Sequence, residues 1–241
     1  MRKLTTALVI SLVIFGIGST AHALQYGYGY SEIDLHSFSY TINGNDSEKV
    51  YSRNLGWYSA GYALALDQDE LDASGFSESY YQSVRDDWAI AYTSDAFAAA
   101  GTDHGTNSSE AKARAGEGYG TYSGALAGTF VAGYQFYLPE GGSLTFSIDY
   151  YLENKISGDE PGYSVSGAGA MLGVYQDGDI NGTGQWLDLA GDYGYDYDEE
   201  AGTLEITLSN LAEGSLFNVF AGTAAWAAAY APGGDTETAP V

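Results

Sequence analysis

Large apolar side chains fall on every other position through most of this chain, the two-residue period of a strand with one face buried. The clearest run is Leu144, Phe146, Ile148, Tyr150 and Leu152, with Thr145, Ser147, Asp149 and Glu153 at alternate places. Phe130, Ala132, Tyr134, Phe136 and Leu138 repeat the pattern upstream, and Pro139-Glu140-Gly141-Gly142 supplies the fixed φ and the permissive backbone of a reversal. Residues 129–153 therefore predict two strands and the turn between them, a half-buried antiparallel pair.

The same period recurs on both sides. Leu24 to Tyr30 alternates Gly and Tyr, which fits a first strand or a flexible arm. Phe38, Tyr40 and Ile42 lead into the turn signal Asn43-Gly44-Asn45-Asp46, and Tyr58, Ala60, Tyr62, Leu64 and Leu66 make the next apolar face. Over 74–100 the period is less clear. One or two helical turns around Tyr80, Tyr81, Val84 and Trp88 compete with a loop and a short strand over Trp88, Ile90 and Tyr92, and the loop and strand fit better. Residues 101–120 hold little that is large and apolar and predict a long surface excursion, the place for disorder or a domain boundary. Downstream, Val165 to Tyr175 predicts a small-residue strand, Leu204, Ile206, Leu208 and Leu211 an alternating one, and Leu216 to Tyr230 a long alanine-rich segment. Seven to ten short-spaced strands with little helix predict an all-β fold, an antiparallel β-sandwich or jelly roll.

The first 23 residues break this pattern. A basic start (Arg2, Lys3), an apolar run from Ala7 to Ile17 and the small-x-small site Ala21-His22-Ala23 mark a cleavable signal peptide. The expected organisation is a leader over 1–23, one sandwich domain over 24–231 and a polar tail over 232–241, secreted and with no membrane span after leader removal. Six of the eight basic residues and all 32 acidic ones remain after cleavage, giving 6 − 32 = −26. That charge excludes nucleic acid and anionic lipid as natural partners. There is no cysteine, so stability must come from burial and not from disulfides.

The most specific local signal for chemistry is Asp177-Gly178-Asp179-Ile180-Asn181-Gly182. A twelve-residue calcium loop takes oxygens from positions 1, 3, 5, 7, 9 and 12 with Gly at 6, and those places hold Asp177, Asp179, Asn181, Thr183 through its carbonyl, Gln185 through water and Asp188. The spacing resembles an EF-hand or dockerin loop, with Asp in place of the usual Glu at 12, Gly184 in place of an apolar residue and no flanking helices. Two further acidic groups, Asp67/Asp69/Asp72 and Asp192/Asp196/Asp198/Glu199/Glu200, read as solvated strand ends or as cation ligands. Catalytic signals are sparse: only His36 and His104 remain after processing, and neither Gly-x-Ser-x-Gly nor His-Glu-x-x-His occurs. No enzyme is therefore expected, although two facing carboxylates would suffice for a glycosidase. Trp57, Trp88, Trp186 and Trp226, with 22 tyrosines, supply either core or a stacking platform for sugar rings.

The segments Leu138-Pro-Glu-Gly-Gly-Ser-Leu-Thr-Phe-Ser-Ile-Asp-Tyr and Gly202-Thr-Leu-Glu-Ile-Thr-Leu-Ser-Asn-Leu-Ala-Glu-Gly, with the leader and the polar end Thr238-Ala239-Pro240-Val241, resemble the extracellular part of bacterial PEP-CTERM surface proteins. The defining Pro-Glu-Pro tail, with its spanning helix and basic end, is absent from this chain, which suits either a naturally secreted relative or a chain that continues into an anchor. The resemblance implies a non-enzymatic surface or biofilm-matrix protein whose partners are polysaccharide or matrix components. The alternative expectation is a carbohydrate-binding module stabilised by calcium, and aromatic side chains lined up on an exposed sheet face would favour it.

Overall fold

A computed structural model describes residues 25–42, 51–68, 78–85, 88–93, 95–103, 105–115, 121–138, 140–158, 162–176, 183–192 and 196–231. These form β1 (Gln25–Ile42), β2 (Tyr51–Gln68), β3 (Glu78–Arg85), β4 (Ala89–Tyr92), β5 (Ala96–Asp103), β6 (Thr106–Ala115), β7 (Thr121–Leu138), β8 (Gly142–Ser157), β9 (Tyr163–Gln176), β10 (Thr183–Asp192), β11 (Asp196–Leu211) and β12 (Ser215–Ala231). Among the described residues there is no helix, and so none long and apolar enough to cross a membrane. Two six-stranded antiparallel sheets pack face to face, sheet A in the order β11-β8-β1-β6-β5-β4 and sheet B in the order β10-β9-β12-β7-β2-β3. The β-sandwich expected from the alternation is the fold.

Two local expectations are corrected. β7 and β8 are the two strands predicted over 129–153, but they do not pair: β7 lies in sheet B between β12 and β2, β8 in sheet A between β11 and β1. The reversal between them carries the chain from one sheet to the other, because both strands already have two partners. The predicted surface excursion over 101–120 contains the whole of β6, which pairs with β1 and β5 and buries Asn107, Ser109, Ala111, Ala113 and Ala115. Small residues there do not mean exposure; they form the core of one half of the molecule.

That half is set by how closely the sheets approach. The interior divides into a cluster of large side chains, among them Ile33, Leu144, Phe146, Ile148, Leu172, Leu204 and Phe217, and a second cluster made of alanine alone, from β2, β4, β5, β6, β7 and β12. Side-chain bulk fixes sheet separation, so the sandwich tapers from the first cluster to the second. Glycine permits the closest contacts: a Cβ at Gly61 would stand 2.7 Å from the Ala100 carbonyl oxygen in the facing sheet, and one at Gly29 would fall inside the contact radius of the Gly167 carbonyl. Where the clusters meet, a buried hydrogen-bond chain links the sheets. Thr102 donates to Asn107 Oδ1 (3.0 Å), Asn107 Nδ2 donates to Thr129 Oγ1 (2.5 Å), and Thr223 Oγ1 lies 2.6 Å from both Thr129 and Ser109. Each buried hydroxyl thus keeps a partner, as burial demands.

A thin interior inverts the reading of several strands. On β2, Gly61, Ala63 and Ala65 face inward while Tyr62, Leu64 and Leu66 face outward; on β4, Ala89 and Ala91 are buried while Ile90 and Tyr92 are exposed. On β7 an extra residue at Gly133 shifts the register against β12 and β2, so Phe130 points out and Phe136 points in although six residues separate them. Leu144, Phe146, Ile148, Leu204 and Ile206 are buried and Leu208 packs against them, as expected from their period.

The two halves predict destabilisation from opposite changes of side-chain volume. Ile148→Ala should cost about 2 to 5 kcal/mol of unfolding free energy by leaving a cavity. Gly29→Ala should destabilise by about 1 to 3 kcal/mol or more by forcing the sheets apart. Urea denaturation of both variants measures the two costs; a neutral Gly29→Ala would show that the sheets do not touch there.

Candidate functional site

β1 sends Gly27, Gly29 and Ser31 inward, which leaves Tyr26, Tyr28, Tyr30 and Glu32 on the outer face of sheet A. The register then aligns neighbours. Tyr28 stands opposite Lys112 of β6 and Lys155 of β8; Lys155 stands opposite Tyr197 of β11, Lys112 opposite Phe97 of β5, and Phe97 opposite Tyr92 of β4. One line across all six strands reads Tyr197, Lys155, Tyr28, Lys112, Phe97, Tyr92, with each cation between two rings. Lys155 Nζ lies 4.9 Å from the Tyr197 centroid and 5.4 Å from that of Tyr28; Lys112 Nζ lies 5.5 Å from Tyr28 and 5.4 Å from Phe97. These are cation–π distances. At the ends of the line Tyr92 is 67% and Tyr197 51% exposed.

The next line holds the counter-charges. Glu199, Glu153, Tyr30 and Glu110 stand side by side, and Lys112 Nζ meets Glu110 Oε1 at 2.5 Å while Lys155 pairs with Glu153. Arg114 pairs with Asp95 at 2.6 Å on the same face. Single exposed pairs contribute little stability. Here they fix long lysine side chains between rings. Toward the other end of the strands the face turns to hydroxyls: Ser39 and Ser147 lie 2.7 Å apart, Thr145 and Thr207 2.9 Å, and Thr203 donates to Asp149 at 2.6 Å.

Burial pushes the hydroxyls of Tyr26, Tyr28, Tyr30 and Tyr151 well above the ordinary tyrosine value, and the charges of nearby glutamates add to it. A hydrogen bond to Glu199 at 2.7 Å raises Tyr197. On the inner side of β8, burial and a 2.6 Å hydrogen bond to Glu200 push Tyr150 up to about 12. All six remain neutral phenols at physiological pH, able to donate hydrogen bonds while presenting apolar rings.

The outer face of sheet B is unlike this. Residues 60–66, 122–137, 163–175 and 216–230 of its four inner strands contain no charged residue; Arg53 and Asp67 lie toward the two ends of β2. Large rings lie over glycines of the neighbouring strand: Trp226 over Gly167, Phe220 over Gly173, Tyr62 over Gly128. Phe130 stacks on Phe220 with centroids 5.4 Å apart, and Tyr163 sits 5.3 Å from Tyr230.

Of the positions that suggested calcium, Asp177, Asp179 and Asn181 lie outside the described residues. Thr183, Gln185 and Asp188 stand on β10, opposite Val174, Leu172 and Gly169 respectively. Along a strand, residues 183 and 188 are about 16 Å apart. The second half of the twelve-residue spacing is thus an extended strand, and the structure does not gather these three positions. Asp69 and Asp72 also lie outside the described residues, and Asp67 and Asp192 sit near the ends of β2 and β10. Asp196, Asp198 and Glu199 are exposed along β11 at the edge of sheet A. Among the described residues no group of three or more His, Asp or Glu is placed to hold a metal ion. Of the four tryptophans, Trp88 covers Gly101 and Trp226 covers Gly167; the side chains of Trp57 and Trp186 lie outside the described set.

Comparison of the sequence with protein-family models and with curated proteins finds no match to either.

The lysine–tyrosine line was not read from the sequence. Its signal is the Gly/Tyr alternation of β1, but the lysines that complete it sit 84 and 127 residues away (112 − 28 and 155 − 28), and only the register joins them.

Raised tyrosine pKa values give a sign to the alkaline response. The folded chain holds protons that the unfolded chain loses near pH 10, so stability is full below about pH 10 and falls as pH rises through the folded value of about 12 for Tyr150. Tyrosinate absorbance should therefore lag behind that of the denatured chain, and Tyr150→Phe should flatten the loss of melting temperature between about pH 10 and 12. Superimposable folded and unfolded titrations would contradict the burial of these rings.

Proposed function

We propose that this chain is a secreted, non-catalytic component of a bacterial surface or extracellular matrix that holds neutral polysaccharide across the outer face of sheet A. The observation that carries the reading is the transverse line Tyr197, Lys155, Tyr28, Lys112, Phe97, Tyr92. Sugar rings present apolar C–H faces and polar edges, so a surface that binds them combines aromatic faces with fixed hydrogen-bonding groups. Sheet A offers both: rings held in place by lysines, and carboxylates and hydroxyls in the adjoining lines. Rings two strands apart are separated by about 9.5 Å, so an extended glycan laid across the strands would meet Tyr197, Tyr28 and Phe97 at regular intervals. The −26 charge of the processed chain favours a neutral glycan over an acidic one. The resemblance to PEP-CTERM surface proteins points to the same setting, and calcium stays part of the proposal only through the loop that begins at Asp177.

The test is affinity electrophoresis of the processed protein in gels containing neutral soluble glucans and xylans. Retardation is expected. The double variant Tyr92→Ala, Tyr197→Ala should weaken it about tenfold with an unchanged melting temperature, taking each stacked ring at about 0.7 kcal/mol. Retention of full binding by that variant, or absence of retardation across the series, would count against sheet A as a glycan face.

A further inference from the structure

We infer that the outer face of sheet B is a self-association surface on which a second copy of this chain packs face to face. Four properties of that face point to a copy of itself.

The first is charge. A processed chain of 6 − 32 = −26 repels its own copies wherever charges face each other, yet β7, β9 and β12 at the centre of sheet B carry no charged residue and β2 carries only Arg53 and Asp67, outside 60–66. It is the broad surface on which two copies meet without burying an ion, and desolvating charge is the largest penalty an interface incurs.

The second is extent. Four strands about 4.8 Å apart, over the 13 residues of 163–175 at about 3.3 Å each, span about 19 Å by about 43 Å, or on the order of 800 Å². That is about what each partner contributes to a stable protein–protein interface, and it exceeds the largest apolar patch of a typical monomer.

The third is composition and shape. Leu126 and Phe130 are each 38% exposed and Tyr175 is 42% exposed, in company with Trp226 and Phe220. Aromatic residues without charge make the composition of an interface centre and not of a solvated sheet. Rings laid over Gly167, Gly173 and Gly128 fill the depressions that glycine leaves, so the face is level. A level face complements its own two-fold image, the symmetry of most homodimers.

The fourth is what the face lacks. A glycan site needs fixed hydrogen-bonding groups around its rings; beside Trp226, Phe220 and Tyr62 stand Leu64, Leu126 and Met171, and the amides Gln135 and Asn218 of this face are paired with each other at 3.3 Å. A dimer formed on sheet B leaves both copies of sheet A pointing outward, so one particle presents two opposed aromatic–lysine faces. The association itself does not depend on what those faces hold.

Sedimentation velocity of the processed protein across the micromolar range, at physiological and at high ionic strength, tests the inference. The expected result is a monomer–dimer equilibrium that strengthens with salt, because salt screens the repulsion between the charged remainders and leaves the apolar contact intact. Leu126→Glu and, separately, Phe130→Lys should weaken association at least about tenfold while circular dichroism and melting temperature of the dilute monomer stay unchanged. Tyr92→Ala on sheet A should leave association as it is. A chain that stays monomeric at every concentration in both salts overturns the inference, and one that does so while floating with phosphatidylcholine vesicles shows the face to be a lipid surface instead. Dimers that persist unchanged in both sheet B variants also overturn it, by placing the interface elsewhere.

Discussion

The contact of backbone with backbone across the sandwich, at Gly29 against Gly167 and Gly61 against Ala100, is the constraint on which the rest of the molecule depends. Sheets that close cannot hold leucine or phenylalanine between them, so the inward positions over 61–65, 89–91, 96–100, 109–115, 123–127 and 225–231 are alanine, serine or glycine. Alternation then sends the large residues of those segments outward. Apolar surface that most sandwiches keep in their core is displayed here on the outer faces, and glycines beside the displayed rings let them lie flat. One geometric condition therefore produces both the thin core and the aromatic surfaces. The loss of apolar burial in the thin half is offset by close dispersion contact and by the hydrogen-bond chain through Asn107, Thr129, Thr223 and Ser109.

The two outer faces differ because their chains place charge differently. Lys112, Arg114 and Lys155 lie on sheet A, each next to a carboxylate and two of them between rings. In sheet B, β7, β9 and β12 have no charged residue to arrange, and β2 has only Arg53 and Asp67. Such a division underlies both proposals, a mixed face for sugars and a largely neutral face for a second copy.

The sequence shows the strand period plainly, and the all-β sandwich follows from it. It also shows which positions share a face, but not which face is inside. Over 144–152 the larger set is buried, whereas over 60–66 the larger set is outside, and only the separation of the sheets decides between them. Size is a reliable guide to burial only when the core is thick. For the same reason the small residues of 106–115 read as a loop although they are a central strand. The pattern over 129–153 does not tell pairing from crossing, because a tight reversal joins neighbours within a sheet and neighbours across a sandwich alike. The tyrosine–lysine line rests on register between strands far apart in the chain, which no local pattern encodes.

Absence of cysteine makes the central claim directly measurable, since any thiol introduced is unique. Ile90→Cys and Ala91→Cys place it at adjacent positions of β4, one 42% exposed and on the outer face of sheet A, the other fully buried against the alanine core. The account predicts rapid reaction of Ile90→Cys with a thiol reagent under native conditions, and reaction of Ala91→Cys only on unfolding. Protection of Ile90→Cys together with ready labelling of Ala91→Cys would put the large residues inside and contradict the close approach of the sheets.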